Sequence, residues 1–154
     1  MVKNYKVNAP NQLWVSDITY WRVNGVFMYI SFITDTYSHK IVGYNLSENL
    51  DMKSTRNVLL MAINTLKDKH SGLIHHSDRG TQYCAMDYVK LFHKNNIQIS
   101  MTENGDPKEN AIAERINGII REEYLRRYKP KSFNKAQFLL YRTVALYNSE
   151  RPHL

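Results

Sequence analysis

Three acidic residues, Asp17, Asp78 and Glu114, have surroundings from which chemistry can be argued. Asp17 interrupts a run of alternating β-branched and aromatic residues, between Val15 and Thr19 on one face. Asp is disfavoured in strands and costly to bury alone. Asp78 follows the short apolar run Gly72-Leu73-Ile74-His75-His76 and opens the turn Asp78-Arg79-Gly80. Glu114 lies in the second turn of a segment with strong helix signals. Strand centre, strand end and helix face converge if the first and fourth strands are neighbours and the helix packs beside them. Carboxylates gathered this way repel one another unless hard cations sit between them. Oxygen-only ligands without Cys or His partners fit Mg²⁺ or Mn²⁺. Two such ions roughly 3.5–4 Å apart clamp a phosphodiester, one activating the attacking oxygen and the other stabilising the leaving oxygen. A carboxylate shared by both ions should come from the most rigid element. Asp17 is therefore expected to bridge, with Asp78 and Glu114 each completing one ion's shell.

The segment carrying Glu114 begins with Asp106 as a helix cap, Pro107 at the first helical position and Glu109 three residues after the cap. At 100° per residue, Ile112, Ile116, Ile119, Ile120 and Tyr124 share one face. Asn110, Glu114, Asn117 and Arg121 form a narrow line on the opposite one. Ahead of it, Leu13 to Val23 reads as a strand, Asn24-Gly25 as a hairpin turn, and Val26 to about Thr34 as the returning strand. A third strand spans Ile41 to Leu46. Residues 52–68 switch to helical spacing, with Thr55, Leu59, Ala62, Ile63 and Leu66 inward. A strand over residues 72–76, a helix over 82–95 with Ala85, Val89 and Phe92 inward, and a strand from Ile97 to Ile99 precede the Glu114 helix. A last helix runs from about Asn134 to Tyr147. This order predicts an α/β fold: a five-stranded mixed sheet, three antiparallel strands then two parallel ones, flanked by helices. Residues 1–11 read as an N-terminal arm and 12–154 as one catalytic core.

Composition narrows the class. A net charge of +7 and a pI near 9.5 suggest a polyanionic partner, weakly by themselves. The single Cys84 excludes an internal disulfide and a cysteine-rich zinc site. No apolar run approaches the roughly 18–20 residues of a membrane span, and no signal peptide opens the chain, so the reading is soluble and cytoplasmic.

Asp78 and Glu114 are separated by 35 residues, the spacing of the DDE transposases and retroviral integrases. The words Trp14-Val15-Ser16-Asp17-Ile18-Thr19-Tyr20, Asp35-Thr36-Tyr37-Ser38-His39-Lys40-Ile41-Val42-Gly43 and His76-Ser77-Asp78-Arg79-Gly80-Thr81-Gln82-Tyr83 resemble one family. So do Glu109-Asn110-Ala111-Ile112-Ala113-Glu114 and Tyr147-Asn148-Ser149-Glu150-Arg151-Pro152-His153. The chain is similar, from about Pro10 to His153, to the integrase-like core of bacterial insertion-sequence transposases whose second reading frame encodes this domain. The resemblance implies an RNase H-like fold, Mg²⁺-dependent cleavage at the element's ends and joining of the freed 3′-OH to target DNA, in a bacterial cell at the nucleoid. It maps the triad onto Asp17, Asp78 and Glu114. It also implies double-stranded DNA as partner, a homo-oligomer in the active complex, and an end-recognition domain or protein beyond these residues. An RNase H-type nuclease, and an inactive DNA-binding remnant, are the alternatives.

Asn110, Asn117, Arg121, His76 and Arg79 are the candidate DNA contacts. The basic run Arg121, Arg126, Arg127, Lys129, Lys131 and Lys135 begins on the Glu114 face and favours DNA contact over a solvated face. Asp35 reads as a structural cap at a strand end, and Cys84 as a buried small hydrophobe. His75 and His76 are adjacent strand residues that point to opposite faces, so they cannot chelate together.

Overall fold

The computed structural model describes residues 6–49, 51–66, 72–78, 86–102 and 107–150. Strand β1 (Leu13–Val23) turns back at Asn24 and Gly25, both at positive φ (50° and 83°), into β2 (Val26–Asp35). This is the turn geometry whose twist suits a two-residue hairpin. Strand β3 (Ile41–Ser47) pairs antiparallel with β2, and β4 (Leu73–Asp78) and β5 (Ile97–Thr102) pair in parallel, β4 against β1. The five-stranded mixed sheet runs β3-β2-β1-β4-β5, so the first and fourth strands are neighbours.

Helices α1 (Met52–Asn64) and α2 (Met86–Lys94) cover one face, where Trp14, Ile33, Leu59, Leu73 and Phe92 share a core. Helices α3 (Pro107–Ile119) and α4 (Phe133–Glu150) cover the other, packing Ile116, Leu140 and Tyr147 on Trp21, Ile30 and Phe32. The odd-numbered residues of β1 face α3 and α4, while Trp14 and Ser16 face α2, as strand alternation requires. Among the described residues no helix is long and apolar enough to cross a membrane.

Several elements differ in extent from their apolar runs. β4 reaches Asp78 and β5 reaches Thr102, because the ladder continues through Ser77↔Met101 and Asp78↔Thr102. Backbone pairing does not need apolar side chains. α1 ends at Asn64, where the Thr65 amide turns back to the carbonyls of Ala62 and Ile63. Val58 and Tyr88, absent from the expected inward sets, are fully buried. Beyond α3 the helix widens into a π-helical turn (Ile120–Leu125), with the Arg126 N–H donating to the Arg121 carbonyl at 2.9 Å. This winding brings Ile120 and Leu125, five apart, into the same core. Asp106, Ala85 and Cys84 lie outside the described residues.

Two family words have structural explanations. Asp35 is 1% exposed and accepts from Asn11 N–H and Ser38 N–H, each at 2.9 Å, and from the Ser38 hydroxyl at 2.7 Å, capping the β2–β3 turn. Gly43 passes under α1 where a Cβ would stand 2.5 Å from the Val58 carbonyl oxygen. Tyr147 donates to the His39 carbonyl at 2.8 Å, and Asn148 brackets the backbone of Ile41, accepting from its N–H and donating to its carbonyl at 2.9 Å each. The end of α4 thereby holds the start of β3. Of the N-terminal arm, Val7 packs on Leu13, Val15, Ile74 and Ala113.

Candidate functional site

The paired positions of β1 and β4 run Leu13↔Ile74, Trp14↔His75 and Val15↔His76. Asp17 and Asp78 each stand two residues beyond the last of these pairs. The backbones that carry the two aspartates are therefore adjacent at the same level of the sheet. The Asp78 side chain lies outside what the structure describes.

Asp17 is half-buried, and its Oδ2 accepts a hydrogen bond from Asn117 Nδ2 of α3 at 2.5 Å. Four residues on, Arg121 Nη1 donates to Thr19 Oγ1 at 3.0 Å. The two bonds match in pitch. Four helical residues advance about 6 Å and two strand residues about 6.8 Å, so Asn117 and Arg121 meet Asp17 and Thr19 as rungs of one ladder. α3 thus runs along β1 in the same direction. Glu114 is one turn before Asn117, exposed, beside Ala113, which packs on Leu13, Val15 and Ile74. Its turn of helix therefore lies over the β1–β4 pair.

Of the polar line, Glu114 and Arg121 are exposed and Asn117 is turned inward. Asn117 is 6% exposed and turned onto β1, so its amide serves Asp17 instead of reaching outward to DNA. Arg121 remains 45% exposed in its side chain while tied to Thr19, with the Glu122 carboxylate 3.7 Å away. His76 is also displaced from its expected role. It is 1% exposed, and its Nδ1 pairs with Ser100 Oγ at 3.1 Å, bracing β4 against β5. Arg79 and the Asn110 side chain lie outside the described residues.

On the opposite face, Ser16 Oγ and His75 Nε2 lie 2.5 Å apart, a buried bond that ties β1 to β4 directly behind the aspartates. Burial, with a smaller contribution from His76, pushes the His75 imidazole down to about 3, so the ring is neutral. It stacks at 4.8 Å on Phe92 of α2. Sequence reasoning missed Asn117, Ser16 and Thr19 as partners. The helix-to-strand pitch match could have found Asn117, once α3 was placed along β1. Among the described side chains, which exclude Asp78, no three His, Cys, Asp or Glu groups gather as a metal site.

The integrase core domain family matches residues 7–107, and a second integrase core domain description matches 95–154. The chain belongs to the integrase core domain family. This integrase core is 34% identical over 152 residues to the insertion element IS600 uncharacterized 31 kDa protein of Shigella sonnei, covering 98% of this chain and 56% of that protein. It is 32% identical over 148 residues to the putative transposase of IS986/IS6110 from Mycobacterium tuberculosis, covering 93% and 53%. The chain thus spans about half the length of these relatives. In fold it is similar to the catalytic core domain of HTLV-2 integrase solved in complex with magnesium (TM-score 0.70, 18% identity, 92% of this chain and 89% of that one). It is likewise similar to the catalytic core of BIV integrase (TM-score 0.72, 18% identity, 94% and 88%). The integrase core has the RNase H-like fold that its sequence words implied.

Proposed function

We propose that this integrase core is the catalytic part of a DNA transposase, cleaving element ends and joining the freed 3′-OH to target DNA, with Asp17, Asp78 and Glu114 as its catalytic acids. The observation that carries the reading is the placing of Asp17. It stands mid-strand, level with Asp78 on the adjacent parallel strand, under the helix that bears Glu114. The relatives named as transposases and the family's description support the same activity.

The donor set suits magnesium or manganese. Asp17 and Glu114 offer only oxygen, and Asp17 accepts from a neutral amide, which orients the carboxylate. Asp17, Asp78 and Glu114 would hold two such ions, which would supply charge stabilisation at the attacking and leaving oxygens of the phosphodiester. Asn117 fixes the carboxylate of Asp17, and the exposed edge of Arg121 is placed to bind a DNA phosphate beside it. Asp78 and Glu114, from a strand end and a helix face, complete the acidic set. The active complex is a homo-oligomer that acts with an end-recognition domain.

The test uses the full chain and a duplex carrying the element's end. Mg²⁺ and Mn²⁺ should support cleavage, whereas Ca²⁺, with its larger and looser shell, should allow binding without turnover. Asp17→Asn, Asp78→Asn and Glu114→Gln should each reduce cleavage to background while the melting temperature is retained. Near-wild-type cleavage by one variant would remove that residue from the mechanism, and cleavage surviving EDTA would remove the metals.

A further inference from the structure

A pocket of about 440 Å³ opens between the tip of the β1–β2 hairpin and the segment that joins the π-helical turn to α4. Arg22, Arg126, Lys129 and Lys131 line it together with Trp21 and Tyr128, and among the described residues no acidic one does. Trp21, Leu125 and Pro130 are buried and form an apolar floor, while the four cations stand exposed around the rim. Arg22 lies over the Phe27 ring at 4.6 Å. That contact uses the face of the guanidinium and leaves its N–H edge for an anion. Arg126 has Glu122 at 3.3 Å, an exposed i, i+4 pair that stabilises little and exchanges readily. Four cations gathered here repel one another, so the site gains from a polyanion.

We propose that this pocket is a second contact for the backbone of duplex DNA, apart from the acidic site. Exposed cations on long stems around an open rim suit the repeated phosphates of a strand. A small free anion would call for buried, convergent donors. Arg22 is five residues beyond Asp17 on β1, about 17 Å at roughly 3.4 Å per residue. Along the strand, Arg121 is held at the level of Thr19, short of the hairpin tip. At that distance the pocket takes a phosphate other than the one at Asp17. The inference rests on the reading of DNA as the substrate.

Binding of the full chain to duplex DNA, measured by fluorescence anisotropy over a salt series in Ca²⁺, tests it. The double variant Lys129→Ala/Lys131→Ala should lower the slope of log affinity against log salt by about two units. Lys53→Ala, an exposed lysine on α1 across the sheet, should leave the slope unchanged. Ethylation of single phosphates should weaken wild-type binding at a position away from the cleavage site, and this sensitivity should vanish in the double variant. A slope equal to wild type, a loss matched by Lys53→Ala, or no duplex binding by the wild type would each overturn the pocket's role. Cleavage by Asp17→Asn would sink the catalytic reading instead and leave the pocket standing, since the binding measurements need no turnover.

Discussion

Asn117 donates its amide hydrogen to Asp17 at 2.5 Å from inside the packing of α3 on β1, so the carboxylate and the helix hold each other. A partner of this kind acts through the residue it orients, and removing one typically costs 10- to 100-fold in metal affinity or activity. Asn117→Ala is therefore expected to lower Mg²⁺-dependent cleavage by about that factor, to raise the Mg²⁺ concentration needed for half-maximal rate, and to leave KM for DNA near wild type. Asn117→Asp should be worse, because it sets a second negative charge against Asp17 in place of a donor. Cleavage by Asn117→Asp equal to or above that of Asn117→Ala would show that the donated hydrogen bond is not what matters. A purely structural role would lower the melting temperature of both variants without moving the Mg²⁺ dependence.

At the scale of elements, α3 meets β1 by matched pitch, and α1 meets β3 by close approach. Gly43 lets α1 sit so near that an added Cβ would stand 2.5 Å from the Val58 carbonyl oxygen and 3.2 Å from the Ala62 Cβ. Backbone cannot yield as a flexible side chain does, and overpacking of this kind costs about 1–3 kcal/mol. Gly43→Ala should thus lower the melting temperature by several degrees, at roughly 2–4 °C per kcal/mol for a chain of this size. Because α1 covers the face away from α3, the rate of metal-dependent cleavage at 25 °C should change little. Thermal denaturation and a cleavage assay on the same sample check both halves. An unchanged melting temperature would mean that α1 shifts freely over the sheet. The π-helical turn is a third element-level device: its wider winding keeps Leu125 in the core with Ile120 and delivers Arg126 to the basic pocket.

For the whole molecule, the buried Ser16–His75 pair makes global stability depend on pH. The unfolded chain takes up a proton at His75 near pH 6.5, whereas the native ring does so only near pH 3. Above pH 6.5 neither state is protonated there, and the contribution is constant. Between about pH 6.5 and 3 the unfolded state binds the extra proton, so stability falls on acidification, at up to about 1.4 kcal/mol per pH unit. His75→Gln can keep a partner for Ser16 without titrating. Urea unfolding followed from pH 7 to 4 should give a steeper loss for wild type than for His75→Gln. Parallel curves would show that the ring does not stay buried and neutral.

Much of this molecule was legible in its sequence, because short-range physics decides those features. Alternation and Asn24-Gly25 set the first hairpin, whose β1 limits of Leu13 and Val23 agree with the structure. The five family words pointed to the RNase H-like fold. Helical periodicity located the buried Ile116 and Ile120. Only the tertiary structure decided which polar residues face one another. Asn117 and His76 read as surface groups because periodicity reports polarity, and a polar side chain is as polar against a carboxylate or a serine as against water. The pairings Asn117–Asp17, Arg121–Thr19 and Ser16–His75 each join residues far apart in the chain, so nothing local encodes them. They follow from the direction in which α3 crosses β1 and from the parallel register of β1 with β4, which the packing of the two helical layers fixes.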